Sequence, residues 1–135
     1  MNLPYRYYEF NTVKYRAVCS LNGKNVKGVI NIEQLQNNVV VIFGAIIGLP
    51  QGCHNLIVHE LGDENNIIKT LINNYSVYYN LGKIYSNRYS IAYIYIINGE
   101  ISLIGDKSVI GRSLLVYDSI ENISNDTAFG IIGIC

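Results

Sequence analysis

Short runs of alternating apolar and polar residues, separated by Asn and Gly, recur along the chain. The clearest covers residues 26–34, where Val26, Ile30 and Ile32 alternate with Lys27 and Asn31. A period of two is typical of a strand with one buried face, and Asn-rich pairs are typical of turns. The pattern predicts eight strands, at residues 16–21, 26–34, 39–47, 56–61, 81–85, 91–97, 113–117 and 128–134.

Eight short strands with few helix signals predict an all-β sandwich or flattened barrel. The Asn-rich residues 64–80 are predicted to form a loop. Residues 1–14 precede the first predicted strand, so we expect an amino-terminal arm at 1–14 and one β-domain at 15–135. The arm carries Tyr5, Tyr7 and Tyr8. It is either a binding element, since tyrosine is enriched at interfaces, or a loose tail.

Composition removes several classes of function. Ten Lys and Arg balance ten Asp and Glu in 135 residues, so no basic surplus favours nucleic acid. The chain has no apolar run of membrane-spanning length and no apolar signal segment near residue 1. We expect no nucleic-acid or membrane partner and a cytoplasmic location rather than secretion. Cys19, Cys53 and Cys135 lack metal-type spacing, and we expect reduced, mostly buried thiols.

Residues 48–63 read GLPQGCHNLIVHELGD. This segment resembles the copper/zinc superoxide dismutases, in which it reads GLxxGxHGFHVHExGD. Weaker matches follow the same order at residues 29–34, 44–49, 101–106, 109–116 and 130–134. The resemblance extends over about residues 15–134. It implies an eight-stranded Greek-key barrel in which the zinc and electrostatic loops are shortened.

The resemblance also implies where metal ligands would lie. Of the family's copper-binding H-x-H pair, His59 is kept and the other position is Ile57. A further copper position is Tyr117, and the zinc aspartate position is Asn80. The whole chain has two histidines, so at least three of the family's four copper imidazoles are missing. We therefore expect no copper, zinc or other cofactor and no dismutase activity.

Several of these residues have two interpretations. His59 is either a residual metal ligand or a structural histidine, and His54 matches a family histidine that bonds backbone. Tyr117 either coordinates metal through its phenolate or fills the empty copper pocket. The family's disulfide is missing, with Phe129 at one of its positions, and we expect Phe129 to fill space there. The position of the arginine that steers superoxide is about Asp126.

The resemblance further implies an association surface. The family forms homodimers through an apolar patch, and its copper chaperone docks on the same surface through a related domain. Glycines in the patch permit close backbone approach. The matching positions here are Val18, Ser20, Leu61, Gly62, Ile110, Gly111, Arg112, Ile132, Gly133 and Ile134.

The combination of lost ligands and shortened loops is similar to the superoxide-dismutase-like proteins of poxviruses. Some of these are thought to bind the host copper chaperone as decoys. The resemblance implies an inactive interaction protein in the host cytoplasm. Two alternatives remain: a structural homodimer associated with the virion, and a residual metal-dependent dismutase. Metal content distinguishes the last from the others, and capture of the chaperone distinguishes the first two.

Overall fold

The computed structural model describes residues 12–60, 77–117 and 127–135. Over these residues the chain forms an all-β, eight-stranded antiparallel barrel, as predicted. The eighth strand is interrupted at Ile132, and its two parts are numbered β8 and β9. The strands are β1 (Val13–Gly23), β2 (Lys27–Leu35), β3 (Val40–Ile47), β4 (Gly52–His59), β5 (Val77–Ser86), β6 (Ile91–Asn98), β7 (Ser113–Tyr117), β8 (Ala128–Ile131) and β9 (Gly133–Ile134).

The strand order closes the sheet on itself. Neighbouring strands follow the order β2-β3-β6-β5-β4-β7-β8-β1, and β1 pairs again with β2 from Val13 to Asn22. The strands β4, β5 and β6 are successive neighbours, with β3 beside β6, which is the Greek-key arrangement. β9 adds to β1 through the pairs Ala17–Ile134 and Val18–Gly133. Closure leaves few free sheet edges, which limits edge-to-edge association.

Alternation along each strand builds the barrel interior. In β2 the side chains of Ile30 and Ile32 are at most 1% exposed, while Lys27 and Val29 face outward. The interior is almost wholly aliphatic, and burying such side chains is the main stabilising term of folding. One buried polar side chain, Gln34, accepts hydrogen bonds from the Leu103 backbone N–H at 2.7 Å and the Ser102 hydroxyl at 3.2 Å. It thereby fixes the connection between β6 and β7 against β2.

Asparagine side chains form several of the turns, as the composition predicts. Asn38 adopts a left-handed conformation with φ of 68°, and the Asn37 side chain accepts a hydrogen bond from the Val39 N–H. The Asn98 side chain accepts from the backbone N–H groups of Glu100 and Ile101, which ends β6. Short amide side chains stabilise such turns by replacing backbone hydrogen bonds.

Four sequence predictions are corrected. Residues 77–80 were expected in a loop but belong to β5, because they pair with β4 through Val77–His59 and Asn80–Ile57. β4 begins at Gly52 rather than residue 56, and β1 begins at Val13, inside the predicted arm. The thiols are not mostly buried: Cys19 lies in the core, whereas Cys53 and Cys135 are exposed. Cys53 faces outward because its neighbour His54 faces inward on the same strand.

Within the described part of the chain, no helix has the length and apolar character that crossing a bilayer requires. The described helix is a single 3-10 turn at Gly105–Lys107.

Candidate functional site

The outer face of β4, β7 and β8 carries the residues at which the sequence resemblance predicts the family's copper-ligand positions. Leu56, Val58, Leu114 and Val116 belong to the barrel core. Their neighbours along the strands point the other way, since side chains alternate across a sheet. The outward set comprises Ile57 and His59 of β4, Ser113, Leu115 and Tyr117 of β7, and Phe129 of β8.

Strand register brings three apolar side chains of this face into one row. Ile57 lies opposite Leu115, and Leu115 lies opposite Phe129 on the next strand. Ile57 is 2% exposed and Leu115 is fully buried. Val77, Tyr117 and Phe129 are partly buried and pack against them. These residues form a second hydrophobic cluster, separate from the barrel core, and we call it the outer cluster.

The side chains of the outer cluster offer this face few donor atoms for a metal ion. Isoleucine, leucine and phenylalanine have no lone pairs to offer a metal ion, whereas copper and zinc sites require nitrogen, sulfur or carboxylate ligands. Tyr117 is partly buried and packs against the cluster formed by Ile57 and Leu115. Phe129 fills space as expected, but in the outer cluster rather than in the barrel core.

The two histidines lie on opposite faces of β4. The His54 Nε2 is 2.6 Å from the Pro50 carbonyl oxygen and donates a hydrogen bond to it. His54 therefore bonds backbone, as the resemblance implied, and it secures the turn that leads into β4. His59 lies on the outer face of the barrel wall, between Val77 of β5 and Ser113 of β7. Its side chain is nevertheless fully buried.

Asn80 has a local structural role in β5. Its side-chain oxygen accepts a hydrogen bond from the Gly82 backbone N–H at 2.8 Å. The residue is exposed and lies opposite Ile57, where β5 bulges against β4. Asp126 lies outside the described residues.

The chain is 33% identical over 122 residues to superoxide dismutase [Cu-Zn] 5 of Dictyostelium discoideum. The match covers 79% of this chain and 80% of that protein. The chain belongs to the copper/zinc superoxide dismutase family. No family model matches the chain. The similarity to this relative shows the membership, and the barrel topology agrees with it.

The described residues do not fit the metals of this family. Among residues 12–60, 77–117 and 127–135, no three His, Cys, Asp or Glu side chains come together. At the family's ligand positions, Ile57 offers no donor atom and the Asn80 oxygen is bonded to Gly82. With two histidines in the full sequence, one chain cannot supply the four imidazoles of a copper site. We assign no reaction step to a metal.

The predicted association surface is brought together from three segments. The Gly111 N–H donates to the Ile132 carbonyl, and the Ile132 N–H donates to the Arg112 carbonyl, each at 2.8 Å. Gly133 pairs with Val18 of β1. The turn before β7, the end of the chain and β1 therefore form one continuous region, which we call the terminal surface.

The residues of the terminal surface differ in how far their side chains are exposed to solvent. Ile134 is 67% exposed, Ser20 and Gly111 are exposed, and Val18, Ile110, Arg112 and Gly133 are partly exposed. Ile132 is 1% exposed and belongs to the barrel core, so its side chain does not contribute to the surface. It points inward while Ile131 and Ile134 are exposed on either side. Leu61 and Gly62 lie outside the described residues.

Arg112 acts as a brace within the protomer. Its Nε donates to the Ser108 carbonyl at 3.0 Å, and its Nη1 donates to the Glu60 carbonyl at 3.1 Å. The guanidinium carbon lies 3.7 Å from the centre of the Tyr78 ring, in a cation–π contact. These contacts hold the Gly111–Arg112 turn against the end of β4 and the start of β5. The sequence had indicated Arg112 but gave no sign of Tyr78 as its partner.

Proposed function

We propose that this chain acts by protein–protein association and not by dismutation of superoxide. The observation that carries the proposal is the outer cluster, because two of the family's copper-ligand positions, Ile57 and Tyr117, pack there against Leu115. Ile57 offers copper no donor atom, and the single phenol oxygen of Tyr117 does not replace the imidazoles that a copper site of this family uses. The barrel that supports the site is nevertheless complete.

The terminal surface is the part of the chain that we propose makes the contact. It keeps the family's glycines at 111 and 133 and presents Ile134, at 67% exposure. Gly111 has a φ of 82°, which favours glycine, and a Cβ added there would meet no atom within 4 Å. The backbone at this turn is therefore open to close approach by a partner.

We propose the copper chaperone for superoxide dismutase as the partner, with this chain acting as a decoy of the poxvirus type in host cytoplasm. The family's own dimer and its chaperone complex use the corresponding surface, so a barrel that keeps this surface can compete for it. The alternative occupant is a second copy of the chain, as in a structural homodimer associated with a virion.

The test compares two isoleucine variants on different sides of the barrel. Ile134→Lys places a charge on the terminal surface, and Ile97→Lys places one on β6, which is not a neighbour of β1, β8 or β9, at a position that is 62% exposed. We expect the wild type and Ile97→Lys to capture the chaperone at micromolar concentration, and Ile134→Lys to fail. A charge buried without a partner at an interface is strongly unfavourable. Gly111 is a poorer site for this test because its φ adds backbone strain to any substitution.

Light scattering measures the mass of each variant in parallel with chaperone capture. A dimer that Ile134→Lys dissociates, without chaperone capture, would favour the homodimer. In a two-fold dimer the substitution occurs twice, so its effect is doubled. Equal behaviour of the two lysine variants would show that the terminal surface is not used. Dismutase activity after loading with copper and zinc would refute the proposal that the protein is not an enzyme.

A further inference from the structure

The outer face of β2, β3 and β6 is apolar and aromatic. Cross-strand register places Val29, Ala45 and Tyr93 in one row, and Asn31, Phe43 and Tyr95 in the next. The neighbours Ile30, Ile42 and Ile94 lie in the core, so these rows face outward. We call the face formed by Val29, Phe43, Ile47, Tyr93, Tyr95 and Ile97 the aromatic face.

The exposure of the aromatic face is high for side chains of this type. Tyr93 is 73% exposed, Ile97 is 62% exposed and Tyr95 is 61% exposed. Val29 and Ile47 are also more than half exposed. A contiguous apolar face of this kind usually marks a docking site. It shares no residue with the terminal surface, so an inference about it does not depend on the proposed function.

One end of the aromatic face contains a groove of about 230 Å³, lined by Glu33, Val41, Phe43 and Tyr95. The Glu33 side chain is 24% exposed, and one of its oxygens accepts a hydrogen bond from Arg16 Nε at 3.2 Å. A carboxylate beside two aromatic rings is a favourable environment for a guanidinium or ammonium group. The groove therefore suits a segment that combines a cation with aromatic side chains.

The amino-terminal segment, residues 1–11, joins the barrel at Thr12, close to this groove. The Thr12 carbonyl accepts a hydrogen bond from the Gln36 N–H at 3.0 Å, and Val13 pairs with Leu35. Glu33 lies two residues before Leu35 on the same strand, which corresponds to about 7 Å. Residues 1–11 read MNLPYRYYEFN and include Arg6 among four aromatic side chains. This composition matches the chemistry of the groove.

Residues 1–11 are long enough to reach the groove at Glu33. Eleven extended residues span about 36 Å, and the six steps from Arg6 to Thr12 span about 20 Å. The aromatic face extends from Glu33 to Lys27 along β2, six steps of about 3.3 Å each, or about 20 Å in all. The segment can therefore reverse direction after leaving Thr12 and bring Arg6 to Glu33, and residues 1–5, which span about 16 Å when extended, can then cover most of the face.

We propose that residues 1–11 of this chain dock on the aromatic face, with Arg6 at the Glu33 groove and the tyrosines against Phe43 and Tyr95. Attachment at Thr12 makes this contact intramolecular, so its effective concentration is high compared with that of a free partner. Tyrosine supplies a large contact area with few rotatable bonds, which lowers the entropic cost of docking.

Hydroxyl-radical footprinting of the full chain and of a chain that starts at Thr12 tests the proposal. The truncation keeps all the described strands. Tyr89, in the turn at the opposite end of the face, is 67% exposed and serves as an internal reference for Tyr95, which is 61% exposed. We expect Tyr95 to be labelled more slowly than Tyr89 in the full chain and at a similar rate in the truncated chain.

Two outcomes of the footprinting would overturn the proposal. One is equal labelling of Tyr95 in both chains. The other is protection of Tyr95 that increases with protein concentration, because that result would assign the face to a second copy.

Cleavage by trypsin after Arg6 gives an independent measurement on the full chain. A docked segment is cleaved only when it opens, so cleavage follows the open population. We expect Tyr95→Ala to be cleaved about tenfold faster than wild type, and the matched variant Tyr89→Ala to be cleaved at the wild-type rate. Identical rates for wild type and both variants would contradict docking at the groove.

Discussion

The outer cluster should contribute measurably to stability, and Leu115→Ala is the sharpest test. Leu115 is fully buried and lies opposite Ile57 and Phe129. Removing a buried leucine side chain leaves a cavity and typically costs 2–5 kcal/mol, so we expect a loss of about 3 kcal/mol in the free energy of unfolding. For a domain of this size that loss lowers the melting temperature by about 10 °C. Phe129→Ala should cost less than a fully buried phenylalanine, because Phe129 is partly exposed.

Thermal unfolding followed by circular dichroism measures the effect, with Ile131→Ala as the control. Ile131 lies on β8, as Phe129 does, but is 54% exposed, so its truncation should cost less than about 1 kcal/mol. If Leu115→Ala and Ile131→Ala melt at the same temperature, the outer cluster does not stabilise the barrel. The reasoning that apolar packing has replaced metal binding on this face would then be wrong.

Two further predictions concern metals and thiols. After loading with copper and zinc and dialysis against a mild chelator, elemental analysis should find well under one equivalent of either metal; near one equivalent retained would contradict the assignment of Ile57 and Tyr117 as non-ligands. Burial raises the pKa of Cys19 from 9.0 to about 12, although a hydrogen bond with the Leu114 backbone opposes this. At pH 8 a thiol reagent should therefore modify Cys53 and Cys135 rapidly and Cys19 only after unfolding, and three rapid reactions would contradict burial. The stabilisation from the neutral Cys19 thiol should be complete below pH 9 and decrease as the pH rises towards 12.

The sequence predicted most strands because their apolar residues alternate and their ends carry Asn or Gly. The turn at Asn37–Asn38 and the end of β6 at Asn98 follow from local chemistry and were correct. Residues 77–80 were assigned wrongly because local propensity favours a turn in an Asn-rich segment. Pairing with β4 overrides that preference, since long-range hydrogen bonds decide strand extent.

The sequence predicted which residues form the candidate site but not which side chains surround them. The motif that contains His54 and His59 located the family's copper positions, and the substitution by Ile57 was visible in the sequence. The sequence did not reveal that Leu115 and Phe129 complete a row with Ile57, because that contact depends on the register of three strands. A strand with both faces apolar gives no sign of which face the barrel encloses.

The sequence by itself determined the strand content, the family resemblance and the limit of two histidines. The tertiary structure decided which apolar residues are inside, since Ile131, Ile132 and Ile134 are 54%, 1% and 67% exposed. It also revealed the aromatic face, because Tyr93, Tyr95 and Ile97 alternate with apolar residues that look equally suited to a core. The physical reason is that alternation defines two faces of a strand, whereas only closure of the sheet determines which of the two is removed from water.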